Sequence, residues 1–177
     1  FSDQEEKTFA RKYAALKQPF AILKASVGVN RPKGTYLKDW DLQKIAEVVA
    51  QTPQVKWVQL GDKSEAPIPG TLNLLGQTNI REAMWLVRQA SFILSVEGFI
   101  THAAAALGIP AITPLTGAYD PNTFIYQNTI PLMADPMPDC SPCWQNVCTQ
   151  TKMWCRTRIS EATAITAITQ LSRKYNL

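Results

Sequence analysis

The sequence contains no apolar run long enough to cross a membrane. Its longest apolar stretches, such as residues 92–96, fall far short of the roughly 20 residues that a transmembrane helix requires. The first six residues are acidic and polar, whereas a secretory signal has a basic region followed by an apolar one. We therefore expect a cytoplasmic protein without a transmembrane segment, either free or peripheral at the inner membrane. Residue 1 is Phe rather than Met, so we also expect that a part of the protein precedes it.

The chain also lacks concentrated positive charge. It has 18 Lys and Arg residues against 14 Asp and Glu, a net charge of +4, and a basic stretch such as residues 31–38 holds only three charges. Nucleic-acid binding requires clustered basic residues interleaved with aromatic ones, so we expect no nucleic-acid partner. No G-x-G-x-x-G motif follows any of the predicted strands, which argues against a dinucleotide oxidoreductase.

What is present is an alternation of short apolar runs with amphipathic helical segments. The predicted strands cover residues 20–25, 55–60, 72–75, 92–96 and 111–115, with a further short one at 129–132. Capping patterns place helices after residues 2, 79 and 160, and others begin near residue 39 or 41 and near residue 98. This order predicts an α/β fold with a doubly wound parallel sheet. At 177 residues and 46% hydrophobic content, we expect a single domain over residues 1–177.

Two of the helices carry an apolar stripe with the spacing of one helix face, which we expect to cover the sheet. The stripes consist of Leu42, Ile45, Ala46 and Val49 in one helix and of Ile80, Ala83, Met84 and Val87 in the other.

The carboxyl ends of the predicted strands are the places to look for a ligand site, because parallel α/β sheets bind ligands there. The clearest candidate is the segment 95–115, in which a strand passes through Glu97 and Gly98 directly into an alanine-rich helix ending at Gly108. A helix N-terminus has unpaired N–H groups and a partial positive charge, so it is suited to a phosphate group. The alternative is an ordinary strand-turn-helix with a small-residue face.

Two stretches resemble glycosyltransferase family nine, the ADP-heptose:lipopolysaccharide heptosyltransferase family. Residues 97–121, EGFITHAAAALGIPAITPLTGAYDP, resemble the family segment in which an acidic residue and a glycine precede H-x-A-x-A-x-G-x-P. Residues 74–96, LLGQTNIREAMWLVRQASFILSV, are similar to its G-x-T-x-x-E helix and following strand. The resemblance extends from about residue 20 to the C-terminus.

The resemblance implies a B-type glycosyltransferase built from two Rossmann-like domains, of which this chain matches the C-terminal one. In such enzymes this domain holds the nucleotide-diphosphate sugar, here ADP-heptose, while the N-terminal domain holds the acceptor and the catalytic base. We therefore expect a donor-binding half that is inactive alone and needs no catalytic cofactor. The glycan or glycolipid acceptor, a lipopolysaccharide core or a related molecule, would bind through the missing domain.

The family's phosphate-binding turn of acidic, small and glycine residues falls on Glu97, Gly98 and Phe99, and its histidine on His102. The usual Asp is Glu97 here, and the Gly-Pro-Met before the histidine is replaced by residues 99–101. A lone histidine near a helix start also fits a purely structural role.

Further donor contacts follow from the same resemblance. Lys38 stands in the family's K-x-W element, whose lysine reaches a donor phosphate, and Arg31 and Lys33 in the same loop are weaker candidates. Asp62 or Glu65, after the strand 55–60, would accept hydrogen bonds from the ribose hydroxyls. A solvated loop is the alternative for each. The residues that follow the strand 111–115 and are candidates for sugar or diphosphate contacts are Thr116, Gly117 and Asp120.

A cysteine-rich loop at about residues 133–158 is the feature that the Rossmann-like core explains least. Its four cysteines form a C-x2-C-x4-C-x6-C pattern of Cys140, Cys143, Cys148 and Cys155. Four closely spaced thiolates can complete a tetrahedral structural Zn or Fe site, with free or paired thiols as the alternative. A non-catalytic nucleotide-binding or scaffold module, with the cysteines as an interaction knuckle, is the competing function.

Overall fold

Six parallel strands form one sheet in the computed structural model, which describes residues 1–16, 19–27, 37–145 and 147–177. The sheet order is β3-β2-β1-β4-β5-β6. The strands are β1 Ala21–Lys24, β2 Trp57–Gln59, β3 Thr71–Asn73, β4 Phe92–Ser95, β5 Ala111–Pro114 and β6 Thr129–Leu132. The prediction of a Rossmann-like, doubly wound parallel sheet is confirmed, and all six predicted strands are present, with bounds that differ from the predicted ones by at most two residues.

Helices connect these strands, as the crossover connections of a parallel sheet require. In chain order they are α1 Asp3–Lys12, α2 Leu42–Ala50, α3 Ile80–Gln89, α4 Phe99–Leu107, α5 Pro121–Phe124, α6 Trp154–Thr157 and α7 Glu161–Tyr175. The capping boxes predicted at Ser2 and Asn79 are both formed, and α4 ends at Gly108 in the left-handed conformation (φ 70°). Ser160 precedes α7 without a side-chain capping bond. Within the described part of the chain, no helix combines the length and apolarity that a membrane crossing demands.

The sheet is covered on both faces. Alternate residues of β1 enter different cores: Ala21 and Leu23 pack with α2 and α7, whereas Ile22 packs with α1, α3 and α4. Side chains of a strand alternate between the two faces, so a strand covered on both sides is apolar throughout. This explains why the strands read as continuous apolar runs in the sequence.

Two members of the predicted stripes are exposed, and their assignment to the buried face was wrong. Leu42 is 38% exposed and Ile80 is 68% exposed. Both are the first residues of their helices, α2 and α3, which begin at the carboxyl edge of the sheet. The buried faces of these helices start about one turn later, at Ile45 and Ala83.

The strand order has its topological switch point between β1 and β4. From β1 the chain continues outward to β2 and β3 on one side, and from β4 to β5 and β6 on the other. The loops that leave the carboxyl ends of β1 and β4 therefore diverge and leave a crevice between them.

Candidate functional site

A cleft of about 430 Å³ opens at the switch point, along the carboxyl ends of β1, β2 and β4. Six of the predicted site residues line it: Lys38, Asp62, Glu65, Glu97, Gly98 and Phe99. The fold therefore brings together residues from three loops that are distant in sequence. Arg31 and Lys33, the weaker candidates in the loop before α2, lie outside the described residues.

The segment Lys38-Asp39-Trp40 is held in place by its last two residues. The Trp40 side chain is fully buried in the core beneath the loop. Asp39 Oδ1 accepts a hydrogen bond of 2.8 Å from the Val27 N–H, and burial raises the pKa of this carboxyl above its ordinary value. The two residues that follow Lys38 are held in this way, and Lys38 itself lines the cleft.

Lys38 forms an ion pair across the crevice, between its Nζ and Oε2 of Glu97. The Glu97 side chain is 7% exposed and that of Lys38 is 25% exposed, so the pair is well shielded from solvent. The other carboxylate oxygen of Glu97, Oε1, lies 3.5 Å from His102 Nε2. His102 Nδ1 in turn contacts the Tyr126 hydroxyl at 2.7 Å, and His102 is not among the described residues that line the cleft.

The N-terminus of α4 faces the same cleft. Gly98 precedes the helix, and the backbone N–H groups of a first helical turn have no partner within the helix. A Cβ added at Gly98 would meet nothing within 4 Å, so the space in front of this backbone is open. A helix N-terminus and a lysine therefore line the same cleft, an arrangement that is suited to an anion.

Lys38 and Glu97 also line a second, much smaller cleft on the side of β5, a shallow depression of about 10 Å³. Its other walls come from residues 114–116 and 119–121 and include the predicted residues Thr116 and Asp120. The Tyr119 ring lies over Lys38, with its centroid 4.8 Å from Nζ. The ion pair therefore stands between two clefts, one toward β2 and one toward β5.

The two acidic candidates after β2 have different environments. Glu65 is almost fully buried, and its carboxylate accepts hydrogen bonds from Lys24 Nζ at 2.6 and 2.8 Å and from the Asp62 N–H at 2.8 Å. The Asp62 side chain is exposed, and hydrogen bonds from Ser64 lower the pKa of its carboxyl. Lys24 was missed by sequence reasoning, although a lysine at the last position of an otherwise apolar strand is a recognisable signal.

Gly117 lies outside both clefts, against the cysteine-rich segment. A Cβ added there would approach Ser141 Cβ to 2.9 Å and Cys155 Cβ to 3.0 Å. The Gly117 carbonyl accepts a 3.0 Å hydrogen bond from the Cys143 N–H. Glycine is therefore required here for close packing of the two segments, and its role in donor contact stays a prediction.

The four cysteines are all reduced and range from exposed at Cys140 to buried at Cys155. Among the residues that the structure describes, no three His, Cys, Asp or Glu side chains are arranged to hold a metal ion. The pKa of the Cys155 thiol is raised, mainly by burial and further by the charges of the other three cysteines. The metal site stays a prediction.

An all-parallel sheet of this order, with a cleft at its switch point, defines a Rossmann-like α/β protein. The family model described as glycosyltransferase family 9 (heptosyltransferase) matches residues 3–153. The chain belongs to this family. Among curated proteins, no sequence match was found.

Solved structures of the same family share the fold. The chain is similar to E. coli ADP-heptose LPS heptosyltransferase II, with a TM-score of 0.69 and 15% identity over 100% of this chain and 54% of that one. It is also similar to TibC of enterotoxigenic E. coli, an iron-containing dodecameric heptosyltransferase, with a TM-score of 0.71 and 18% identity over 90% of this chain and 46% of that one. The chain thus spans about half the length of these structures.

A third similar structure is E. coli heptosyltransferase WaaC with ADP-2-deoxy-2-fluoro heptose. Its TM-score is 0.60, and its identity is 15% over 93% of this chain and 47% of that one.

Proposed function

We propose that this chain binds the nucleotide-sugar donor of a glycosyltransferase, namely ADP-heptose, for transfer of the sugar to a lipopolysaccharide core or a related acceptor. The observation that carries the proposal is the position of Lys38. Its side chain and the N-terminus of α4 at Gly98 line the same large cleft, and Lys38 also lines the smaller cleft beside β5. A nucleoside diphosphate sugar has the same layout, with an anionic diphosphate between two neutral groups.

The diphosphate binds at Lys38 and the first turn of α4. A charge-assisted hydrogen bond from the ammonium group and N–H groups at the helix N-terminus both favour negative charge. This charge grows when the bond to the sugar breaks and the nucleoside diphosphate departs, so the same groups stabilise the leaving group during transfer. The chemistry requires no catalytic metal.

The nucleoside occupies the larger cleft, beside β2. Asp62 is the accessible carboxylate there and accepts hydrogen bonds from the ribose hydroxyls, while Glu65 is held by Lys24 and supports the loop. The side chains of Leu60, Ile80 and Ala83 supply an apolar lining for the base. Two of the similar structures contain ADP-D-β-D-heptose and ADP-2-deoxy-2-fluoro heptose, respectively, which supports the choice of ADP-heptose.

The acceptor and the catalytic base belong to the other half of the enzyme in this proposal. The chain spans about half the length of the similar structures, and an open cleft does not by itself provide a base within reach of an acceptor hydroxyl. The chain alone therefore binds the donor but does not transfer the sugar. A cytoplasmic location, free or peripheral at the inner membrane, is part of this proposal.

The cysteine-rich segment holds a structural Zn or Fe ion in this proposal. Four thiolates are a suitable donor set for either metal, and one of the similar structures is described as iron-containing. The cysteines follow the strands that build the cleft, so the metal orders this segment and takes no part in the reaction.

Titration calorimetry with ADP, UDP and GDP tests the proposed function. We expect ADP to bind more tightly than the other two and ADP-heptose to be retained without turnover. Absence of binding by all three nucleotides would refute a donor site. Sugar transfer by the chain alone would refute the proposal that the acceptor site and the catalytic base belong to the other half of the enzyme. Nucleotide binding without transfer by a protein that includes both halves would favour the non-catalytic module instead.

A further inference from the structure

The wall of the smaller cleft continues into an aromatic pair. The Tyr119 ring, which lines the cleft beside Lys38, makes an edge-to-face contact with the Trp144 ring, with centroids 5.5 Å apart and an interplanar angle of 72°. Trp144 belongs to the cysteine-rich segment. The Trp144 side chain, which is distant from Lys38 in the sequence, thus extends the surface beside Lys38.

Trp144 is fixed in place by its backbone rather than by burial. Its N–H donates a 2.8 Å hydrogen bond to the Ala118 carbonyl, next to the bond from Cys143 to Gly117. Its φ of 52° is in the left-handed region, which is a costly conformation for a bulky residue and is maintained only where the surroundings enforce it. The side chain nevertheless remains 59% exposed, so core packing does not account for its position.

This surface has the chemistry that a sugar ring requires. One face of a hexose or heptose ring presents C–H groups, which pack on aromatic rings, and its edge presents hydroxyl groups. Tyr and Trp provide large, rigid contact areas at low entropic cost. Polar side chains at the same cleft, those of Thr116 and Asp120, are suited to hydrogen bonds with hydroxyl groups.

We propose that Tyr119 and Trp144 form the apolar wall of a subsite for the sugar ring of the donor. This inference rests on the proposed function, because a diphosphate at Lys38 with its nucleoside in the larger cleft directs the sugar toward the side of the smaller one. That cleft is too shallow to enclose a sugar ring, so the ring lies over it, on the exposed surface of Tyr119 and Trp144. The cysteine-rich segment then contributes directly to recognition of the sugar, through a residue that the sequence motifs did not identify.

Comparison of ADP with ADP-heptose as ligands tests the subsite. We expect Trp144→Ala to weaken ADP-heptose binding about five- to tenfold, the scale of a lost aromatic contact, with ADP affinity unchanged. Trp154→Ala is the matched control, because this tryptophan is also in the cysteine-rich segment and is 41% exposed, but packs against Arg158 instead of Tyr119. It should leave both affinities unchanged.

The outcomes separate the two proposals. If the wild-type chain binds ADP-heptose no more tightly than ADP, or if Trp144→Ala weakens both ligands equally or neither, the sugar subsite is refuted while ADP binding still supports the proposed function. If the wild-type chain does not bind ADP, both proposals fail. Circular dichroism of each variant verifies that the exposed substitutions leave the fold intact.

Discussion

Glu97 forms an ion pair with Lys38 across the switch point of the sheet, and this pair occupies the position proposed for the diphosphate. Glu97 therefore has two opposed effects. In the ligand-free state it balances the charge of a largely shielded lysine. When a diphosphate binds, the same carboxylate is close to a second anion and repels it.

Removal of this carboxylate charge should strengthen ADP binding. At about 4 Å, two unit charges interact by about 1 kcal/mol in water and by about 4 kcal/mol near a protein surface. Because solvent compensates part of this repulsion, we expect an effect close to the lower value. We expect Glu97→Gln to raise ADP affinity about fivefold in calorimetry. Glu47→Gln, an exposed substitution on α2, is the charge-matched control and should have no effect. Weaker ADP binding by Glu97→Gln would show that the carboxylate orients Lys38 rather than opposing the ligand.

The cysteine-rich segment should contain about one equivalent of Zn or Fe per chain, since a closed tetrahedral site takes four protein ligands. Elemental analysis of protein prepared under reducing conditions measures this. Replacement of any one of Cys140, Cys143, Cys148 and Cys155 by Ser should release the metal and loosen this segment before the sheet unfolds.

Thiol reactivity provides the converse measurement. Without metal, Cys155 should react slowest with a thiol reagent, because it is buried and its pKa is raised, and the exposed Cys140 should react fastest. Absence of bound metal together with four reactive thiols would refute the metal site.

The ion pair between Glu5 of α1 and Arg81 of α3 should make the stability of the fold depend on pH. Hydrogen bonds from Arg81 lower the pKa of this carboxyl from 4.5 to about 2. Because the pKa is lowered in the folded state, the pair stabilises the fold at pH values above 4.5, and this stabilisation is lost as the pH falls from 4.5 toward 2. Glu5→Gln should therefore lower the melting temperature at neutral pH. The difference in melting temperature from the wild type should become smaller as the pH falls below 4.5.

Asp3→Asn is the control for that experiment, since Asp3 is in the same first turn of α1 and has no carboxylate-to-Arg81 bond among the described contacts. A Glu5→Gln effect that is equal at neutral and acid pH would refute the ion pair as its cause.

Much of the fold could be predicted from the sequence because its local signals agree. Capping boxes at Ser2 and Asn79, the apolar runs of the strands and the glycine at the end of α4 each have a short-range physical cause. Ile80 was misassigned because helical spacing identifies a face but not where along the helix the sheet edge falls. Its exposure depends on the tertiary position of α3.

The site was predictable as a set of loops but not as a set of contacts. Strand ends identified the regions of Lys38 and Glu97, whereas their ion pair arises from a strand order that no local pattern specifies. The contact of Trp144 with Tyr119 depends on how the cysteine-rich segment docks against residues 117 and 118. Lys24 was read as part of a strand because the apolar run around it determines the strand, not the direction of its side chain.

Titration of ADP into the wild-type chain and its Lys38→Ala variant tests the central claim most directly. We expect measurable binding by the wild-type chain and a loss of about 1–3 kcal/mol in the variant, because a charge-assisted hydrogen bond to the diphosphate is removed. Lys7→Ala, at an exposed position on α1, is the matched control and should bind ADP as the wild type does. An unchanged ADP affinity in Lys38→Ala would contradict the assignment of the diphosphate to the Lys38 site and transfer the role to Arg31 or Lys33.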